Sequence, residues 1–426
     1  MTTFDANALA AVWERTAVSA GGDHSHLLIT LKAPARTTDS RSAPVDVAFA
    51  LDRSGSMTGE PIQLVKAAVD MAAGLLAEKD RAALVVYDNV IDVIHPLQDV
   101  TPASRQRLRS ALGGIDARGS TNLGEGWMQA CLQLADSPNP NNDSSLRLKR
   151  ALLLTDGLAN QGITDPDQLV THVVNLRQRG ISTSTLGVGD EFDETLLESM
   201  AEAGGGNFQF IPTPAELPAF FERELGRLLA TVATQVVVSL TFSTGILAKP
   251  LSMFPSRQHE QQVIIELGDL PEGEELALAI SVQTPPAMAG TLLTAAMSLS
   301  WFDARTGRQH VIERSAPALP VAPAGSALLT ERNDTVAEEA AVQQAALDQR
   351  EAMRLDRLGE YAASRHAHAR AGSLLASAPQ TSRVSERHSE ALTFASFGID
   401  SAIPEQVRKQ AIHNTYRRGR GRSDES

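Results

Sequence analysis

Apolar and polar positions follow two regimes along the chain, with a boundary near Leu229. Before it, short apolar runs at residues 45–51, 82–87, 150–154 and 182–188 alternate with amphipathic stretches. Near-continuous apolar runs suit strands buried on both faces. In residues 62–76, Leu64, Val65, Ala68, Met71, Ala72 and Leu75 fall on one helical face. Further helices are expected at 104–112, 124–134, 169–179 and 195–203. This alternation predicts an α/β fold with a doubly wound, mostly parallel sheet flanked by helices.

After Leu229 the helical period disappears. Strand-like runs follow at 231–240, 262–267, 275–284 and 291–302, and residues 303–308 read as a hairpin loop into a strand at 309–314. That succession is the signature of an antiparallel β-sandwich. Residues 26–31 also read as a strand, expected to join the later ones, which makes the α/β domain an insertion into the sandwich. The Pro- and Ala-rich stretch 316–325 reads as a linker. Residues 327–357 and 361–376 are helical, broken at Gly359, and resemble half a tetratricopeptide repeat. The expected division is therefore 1–43, contributing a strand to the sandwich; 44–230, α/β; 231–322, sandwich; 326–400, a C-terminal helical hairpin region; and 401–426, a disordered tail.

Composition narrows the function. Hydrophobic residues make up 42% of the 426 and charged residues 21%, as in ordinary globular proteins. The net charge of -13 disfavours nucleic acid as a partner, because phosphate binding needs a basic surface. The lone cysteine, Cys131, cannot form an internal disulfide and sits in a helical context that reads as buried. Met1-Thr2-Thr3-Phe4-Asp5-Ala6 lacks the basic start and apolar run of a secretory signal, and no apolar stretch approaches the roughly 20 residues of a membrane helix. A cytoplasmic location without a membrane span is expected.

The candidate chemistry sits at strand ends. Asp52-Arg53-Ser54-Gly55-Ser56 follows the first buried strand, so a carboxylate and two hydroxyls fall at its C-terminal edge, where ligand sites of open α/β sheets form. Alone, D-x-S-x-S arises by chance in roughly one chain of this length in ten. Gly119-Ser120-Thr121-Asn122-Leu123 adds the Thr121 hydroxyl, and Leu152-Leu153-Leu154-Thr155-Asp156-Gly157 ends another buried strand with Asp156. Asp52, Ser54, Ser56, Thr121 and Asp156 thus reach one rim. Five oxygens with no His or Cys suit a hard cation, Mg²⁺ ahead of Mn²⁺ or Ca²⁺. The bland alternative makes the serines turn formers and Asp156 a helix cap.

With these motifs the chain resembles von Willebrand factor A domains, whose metal-ion-dependent adhesion site has the same D-x-S-x-S, Thr and Asp arrangement. Leu186-Gly187-Val188-Gly189 with Ala203-Gly204-Gly205-Gly206-Asn207-Phe208 resembles the end of that fold, and Pro218-Ala219-Phe220-Phe221-Glu222-Arg223-Glu224-Leu225 resembles the exit helix of bacterial members related to calcium-activated chloride-channel-like and inter-alpha-trypsin-inhibitor heavy-chain-like proteins. The resemblance implies that Ser54, Ser56 and Thr121 ligate directly, and Asp52 and Asp156 directly or through water. It further implies a metal-dependent protein-binding or scaffold role, with a partner's Asp or Glu completing the shell, rather than catalysis. The alternatives are a cytoplasmic cofactor of a MoxR-type AAA+ ATPase, acting in chaperoning or metal insertion, and a hydrolase using Ser54 or Ser56. Against a hydrolase, the chain has no G-x-S-x-G elbow or phosphate-binding loop, and no histidine lies near the Asp52 loop in sequence. A His, such as His310, within reach of a serine would revive it. The acidic run 190–194 lacks EF-hand spacing and reads as a solvated helix start. His366 and His368 do not share a helix face.

Overall fold

The computed structural model describes residues 4, 8–35, 43–135, 147–189, 191–326, 330–398 and 401–420. Met1–Thr3, Asp5, Ala6, Asp190 and 421–426, on which parts of the sequence reading fall, lie outside these.

The chain opens with strands β1 (Leu9–Trp13), β2 (Val18–Ser19) and β3 (Asp23–Lys32). The α/β portion follows: β4 (Val45–Asp52), α1 (Glu60–Leu75), β5 (Arg81–Tyr87), β6 (Ile91–Asp99), α2 (Pro102–Gly113), α3 (Leu123–Ala135), β7 (Leu148–Thr155), α4 (Pro166–Gln178), β8 (Ile181–Val188), α5 (Glu194–Gly204), β9 (Gly205–Ile211) and α6 (Leu217–Leu229). Its six strands run in the order β6-β5-β4-β7-β8-β9. All pairs are parallel except β5–β6.

The alternation of residue size along β4 explains the layering. Val45, Val47, Phe49 and Leu51 face one core, shared with Val65 and Val69 of α1 and Phe221 and Leu225 of α6. Ala48 and Ala50 face the other, where the small side chains leave room for Trp127 of α3. Every residue of β4 is buried, as the apolar run requires.

The second half supplies β10 (Thr231–Phe242), β11 (Leu247–Pro250), β12 (Ser256–His259), β13 (Gln262–Pro271), β14 (Glu275–Thr284), β15 (Leu292–Leu293), β16 (Ala295–Asp303), β17 (Gln309–Ser315) and β18 (Leu319–Ala322). They form sheets β1-β3-β14-β11 and β12-β13-β10-β16-β17, with a small sheet β15-β18-β2. β3 pairs antiparallel with β14 from Lys32↔Glu275 to Asp23↔Thr284. Leu27, Ile29 and Leu31 of β3 share a core with Val236 and Val238 of β10 and Leu278 and Ile280 of β14. The α/β domain is therefore inserted between two strands of the sandwich. Two details differ from the sequence reading. Among the described residues three strands precede the insertion instead of one, and the expected linker 316–325 contains β18, whose Val321 pairs in parallel with Val18.

Among the described residues, helices α7 (Asp334–Arg357), α8 (Tyr361–Ala376), α9 (Ser382–Ala395) and α10 (Glu405–Gly419) follow the sandwich. Gly359 adopts φ +79°, which lets the chain reverse between α7 and α8. α7 is fixed to the sandwich by Val336 and Ala340, packed with Leu28, Leu251 and Ala279. Its buried Gln343 accepts from Ala279 N at 3.1 Å and donates to Ala277 O at 2.7 Å, as a neighbouring strand would. α10 corrects the expectation of a disordered tail over its span. Ala411, Ile412 and Tyr416 join the α/β core, and Lys409 is fully buried. The polar composition of α10 hid this, because Ala411, Ile412 and Tyr416 carry its apolar contact among charged neighbours such as Arg408 and Lys409.

Candidate functional site

The loops after β4, before α3 and after β7 meet at the C-terminal edge of the inserted sheet. Asp52, the last residue of β4, is fully buried. One carboxylate oxygen accepts from Ser54 N at 2.8 Å, and the other accepts from the Thr155 hydroxyl at 2.5 Å. Burial pushes its pKa up to about 6, against the opposing hydrogen bonds from Thr155 and Ser54. The Ser54 and Ser56 hydroxyls are hydrogen-bonded at 3.1 Å, and Ser56 Oγ donates to Asp156 Oδ1 at 2.7 Å. The half-buried Asp156 is also raised, first by desolvation, with the neighbouring Glu191 charge adding to it. Ser56 faces solvent.

Thr121 reaches the same place from the third loop. Its N–H donates to Asn160 Oδ1 at 2.9 Å, and its carbonyl accepts from Asn160 N at 3.1 Å and Gln161 N at 3.2 Å. Gly157 marks the space between the loops: a Cβ there would stand 3.6 Å from both Ser56 Oγ and Thr121 Oγ1. Four of the five residues expected at the rim are thus joined through hydrogen bonds, with Thr155 bridging to Asp52 and the backbone of Ser54 completing the link. The fifth, Thr121, faces the same small space.

A second layer fixes the loops. Arg53 N donates to Tyr87 O at 2.9 Å, Arg118 N to Arg53 O at 2.7 Å, and Gly55 N to Gly119 O at 3.1 Å. The Arg53 guanidinium pairs with buried Asp88 at 2.9 Å and with Asp92, and Arg118 joins Asp88 at 2.8 Å. The sequence reading did not assign roles to Thr155, Asn160 or this Arg–Asp network. Thr155 lay inside a quoted motif, but the direction of its hydroxyl depends on the β4–β7 register.

Other sequence candidates lie elsewhere. Among the described residues neither Ser54 nor Ser56 bonds a histidine through its side chain; His310 stacks on Trp301 in the sandwich. His368 is buried against Phe394, whereas His366 is exposed. Within the acidic run, Asp193 caps α5, accepting from Thr195 N and Leu196 N at 3.0 Å. Glu194 corrects the expectation of a solvated start: it is buried and paired with Arg408 at 3.0 Å. Cys131 is buried in α3, and burial pushes its thiol pKa up.

An open, mostly parallel sheet with hydroxyl and carboxylate groups at the C-terminal ends of its strands defines the class, and residues 46–223 match the family model of the von Willebrand factor type A domain. The chain carries that domain. It is similar to YfbK of Escherichia coli K12, 28% identical over 259 residues that span 59% of this chain and 44% of that protein. It is 30% identical over 199 residues to human inter-alpha-trypsin inhibitor heavy chain H4, covering 44% of this chain and 21% of that one. The aligned regions thus span less than half of each of these two relatives. A solved von Willebrand factor type A structure from Catenulispora acidiphila superposes with TM-score 0.72 at 18% identity and covers 99% of both chains, so the whole architecture, sandwich and helices included, is a shared fold.

Proposed function

We propose that the rim binds a divalent cation through Asp52, Ser54, Ser56, Thr121 and Asp156, and that the loaded rim captures an Asp or Glu side chain of a protein partner. Von Willebrand factor type A domains commonly mediate metal-dependent protein interaction, which supports the reading at the level of class. The observation that carries it is the convergence of three hydroxyls and two carboxylates around the space beside Gly157. The donor set fits the group: all oxygen, two acidic, on Asp52 at the end of β4 and on the loops beside the strand ends. Mg²⁺ suits it first, with Mn²⁺ and Ca²⁺ as alternatives.

A bound cation would supply positive charge to an incoming carboxylate. This chain's residues do the rest. Three neutral hydroxyls leave much of that charge uncancelled. Thr155 and Ser54 N hold the Asp52 carboxylate in place, and the Arg53–Asp88 pair ties the loop after β4 to the end of β5. Among the described residues no histidine bonds either serine hydroxyl, which favours binding over a hydrolase. Isothermal titration with Mg²⁺ and Mn²⁺, comparing wild type with Asp52→Ala, tests the reading. Binding is expected in the first and lost in the second; equal heats in both would rule it out.

A further inference from the structure

The segment 191–195, which leads from β8 into the first turn of α5, stands between the rim and the C-terminal helices. On the rim side, Gly187 pairs with Thr155, the residue whose hydroxyl holds Asp52. Phe192 folds back onto this point: a Cβ on Gly187 would stand 2.3 Å from its ring, so glycine is required there. On the other side, Lys409 of α10 donates to Phe192 O at 2.9 Å, and its ammonium lies 4.0 Å from the centre of the Phe192 ring. Arg408 pairs with Glu194 at 3.0 Å, and Arg357 of α7 pairs with Asp193 at 2.7 Å. A chain of direct contacts therefore runs from Lys409 through Phe192, Gly187 and Thr155 to Asp52.

Lys409 is an unusual group to bury, since an ammonium leaves water only when it is paired. Here a carbonyl, a ring face and Glu405 at 3.3 Å receive it. Ala411, Ile412 and Tyr416 of the same helix pack into the α/β core, so apolar contact and the Arg408 and Lys409 contacts together seat α10 on the segment. We propose that α10 holds residues 191–195 in place beside the rim, so that α10 docking and cation binding at the rim strengthen each other. The inference rests on the rim reading above. It makes the C-terminal helices an effector layer, and a partner that displaces α10 would release the rim's ligand.

Linkage makes the coupling reciprocal, so it can be read from both ends. Mn²⁺ titrations of the full chain would compare wild type, Lys409→Met, Arg408→Gln and Arg383→Gln. The last breaks the Arg383–Glu339 pair between α9 and α7, away from the segment. Hydrogen exchange of α10 would be followed with and without Mn²⁺, in wild type and Asp52→Ala. Lys409→Met is expected to weaken Mn²⁺ binding about fivefold or more, with Arg408→Gln changing it in the same direction and Arg383→Gln leaving it unchanged. Mn²⁺ is expected to slow α10 exchange in wild type but not in Asp52→Ala. Should Lys409→Met fail to fold, Arg408→Gln carries the same test. The coupling is overturned if wild type binds Mn²⁺ while the clamp variants stay within about twofold of it and α10 exchange ignores the ion. Equal weakening by Arg383→Gln also overturns it, as general loosening. A wild type that binds no Mn²⁺ sinks the rim reading and the coupling with it.

Discussion

At the scale of single residues, Asp52 sets the chemistry. A carboxylate with no exposed surface is costly to ionise, and burial raises its pKa from the usual range to about 6. The consequence for stability has a definite sign. A folded-state pKa above the unfolded one means that the carboxyl's contribution is fully present below the unfolded value near 4 and is lost as pH rises through about 6. The expected loss is about 3 kcal/mol for the cation-free protein. Urea unfolding in EDTA from pH 4 to 7, comparing wild type with Asp52→Asn, is expected to show this slope in wild type and its absence in the variant. Parallel curves would contradict it. Glu198 carries the same sign: burial lifts its pKa to about 7, against the Arg350 charge. Glu198→Gln is therefore expected to flatten a further loss between about pH 4.5 and 7 in the same measurement. The five rim oxygens were legible in the sequence because each sits at a fixed offset from a buried strand or a helix start. The hydrogen bonds that aim them were not, since Thr155 meets Asp52 only through strand pairing, and Arg53 meets Asp88 across 35 residues.

At the scale of elements, apolar periodicity located what was buried on a regular face. β4, β7, β8 and the helices flanking them fall where the pattern put them, within a few residues. It missed β6, an edge strand interrupted by Pro96, and α10, whose docked face mixes Ala411, Ile412 and Tyr416 with the charged Arg408 and Lys409. It also gave no hint of how closely elements approach. α3 lies so near β5 that a Cβ on Gly126 would stand 2.4 Å from the Tyr87 ring. That ring cannot retreat, because Tyr87 is fully buried and its hydroxyl donates to Leu154 O at 2.9 Å. Gly126→Ala is expected to cost ~1–3 kcal/mol by overpacking, seen as a lower denaturant midpoint. Because Tyr87 O also accepts from Arg53 N, the same variant is expected to weaken Mn²⁺ binding. An unchanged midpoint would mean that the two elements separate more easily than their packing indicates.

At the scale of the whole molecule, the question is whether the inserted domain and the sandwich unfold together. Arg150 of β7 bonds Ser184 Oγ at 3.0 Å, Glu224 of α6 at 3.3 Å and Asp269 of β13 at 3.3 Å, so one buried guanidinium spans both domains. Arg227 of α6 pairs with Glu274 of the sandwich at 2.7 Å, and α7 contacts the sandwich through Gln343 and α5 through Arg350. Such ties make one cooperative unit the expected behaviour. The insertion itself was readable from the strand pattern at 26–31, but the strength of the joint was not, because its ion pairs are far apart in sequence. The tryptophans allow a direct measurement. Trp127 lies in the α/β core, whereas Trp13 and Trp301 lie in the sandwich core. A ligand that binds only the folded state adds about 2.7 kcal/mol at 100 times its Kd. In Trp127→Phe, fluorescence reports the sandwich; in the double variant Trp13→Phe/Trp301→Phe, it reports the domain that holds the rim. Saturating Mn²⁺ is expected to raise the unfolding midpoint by the same amount in both, although the ion touches only one domain. A shift confined to the Trp127 signal would show that the joint does not transmit stability and that the two domains melt independently.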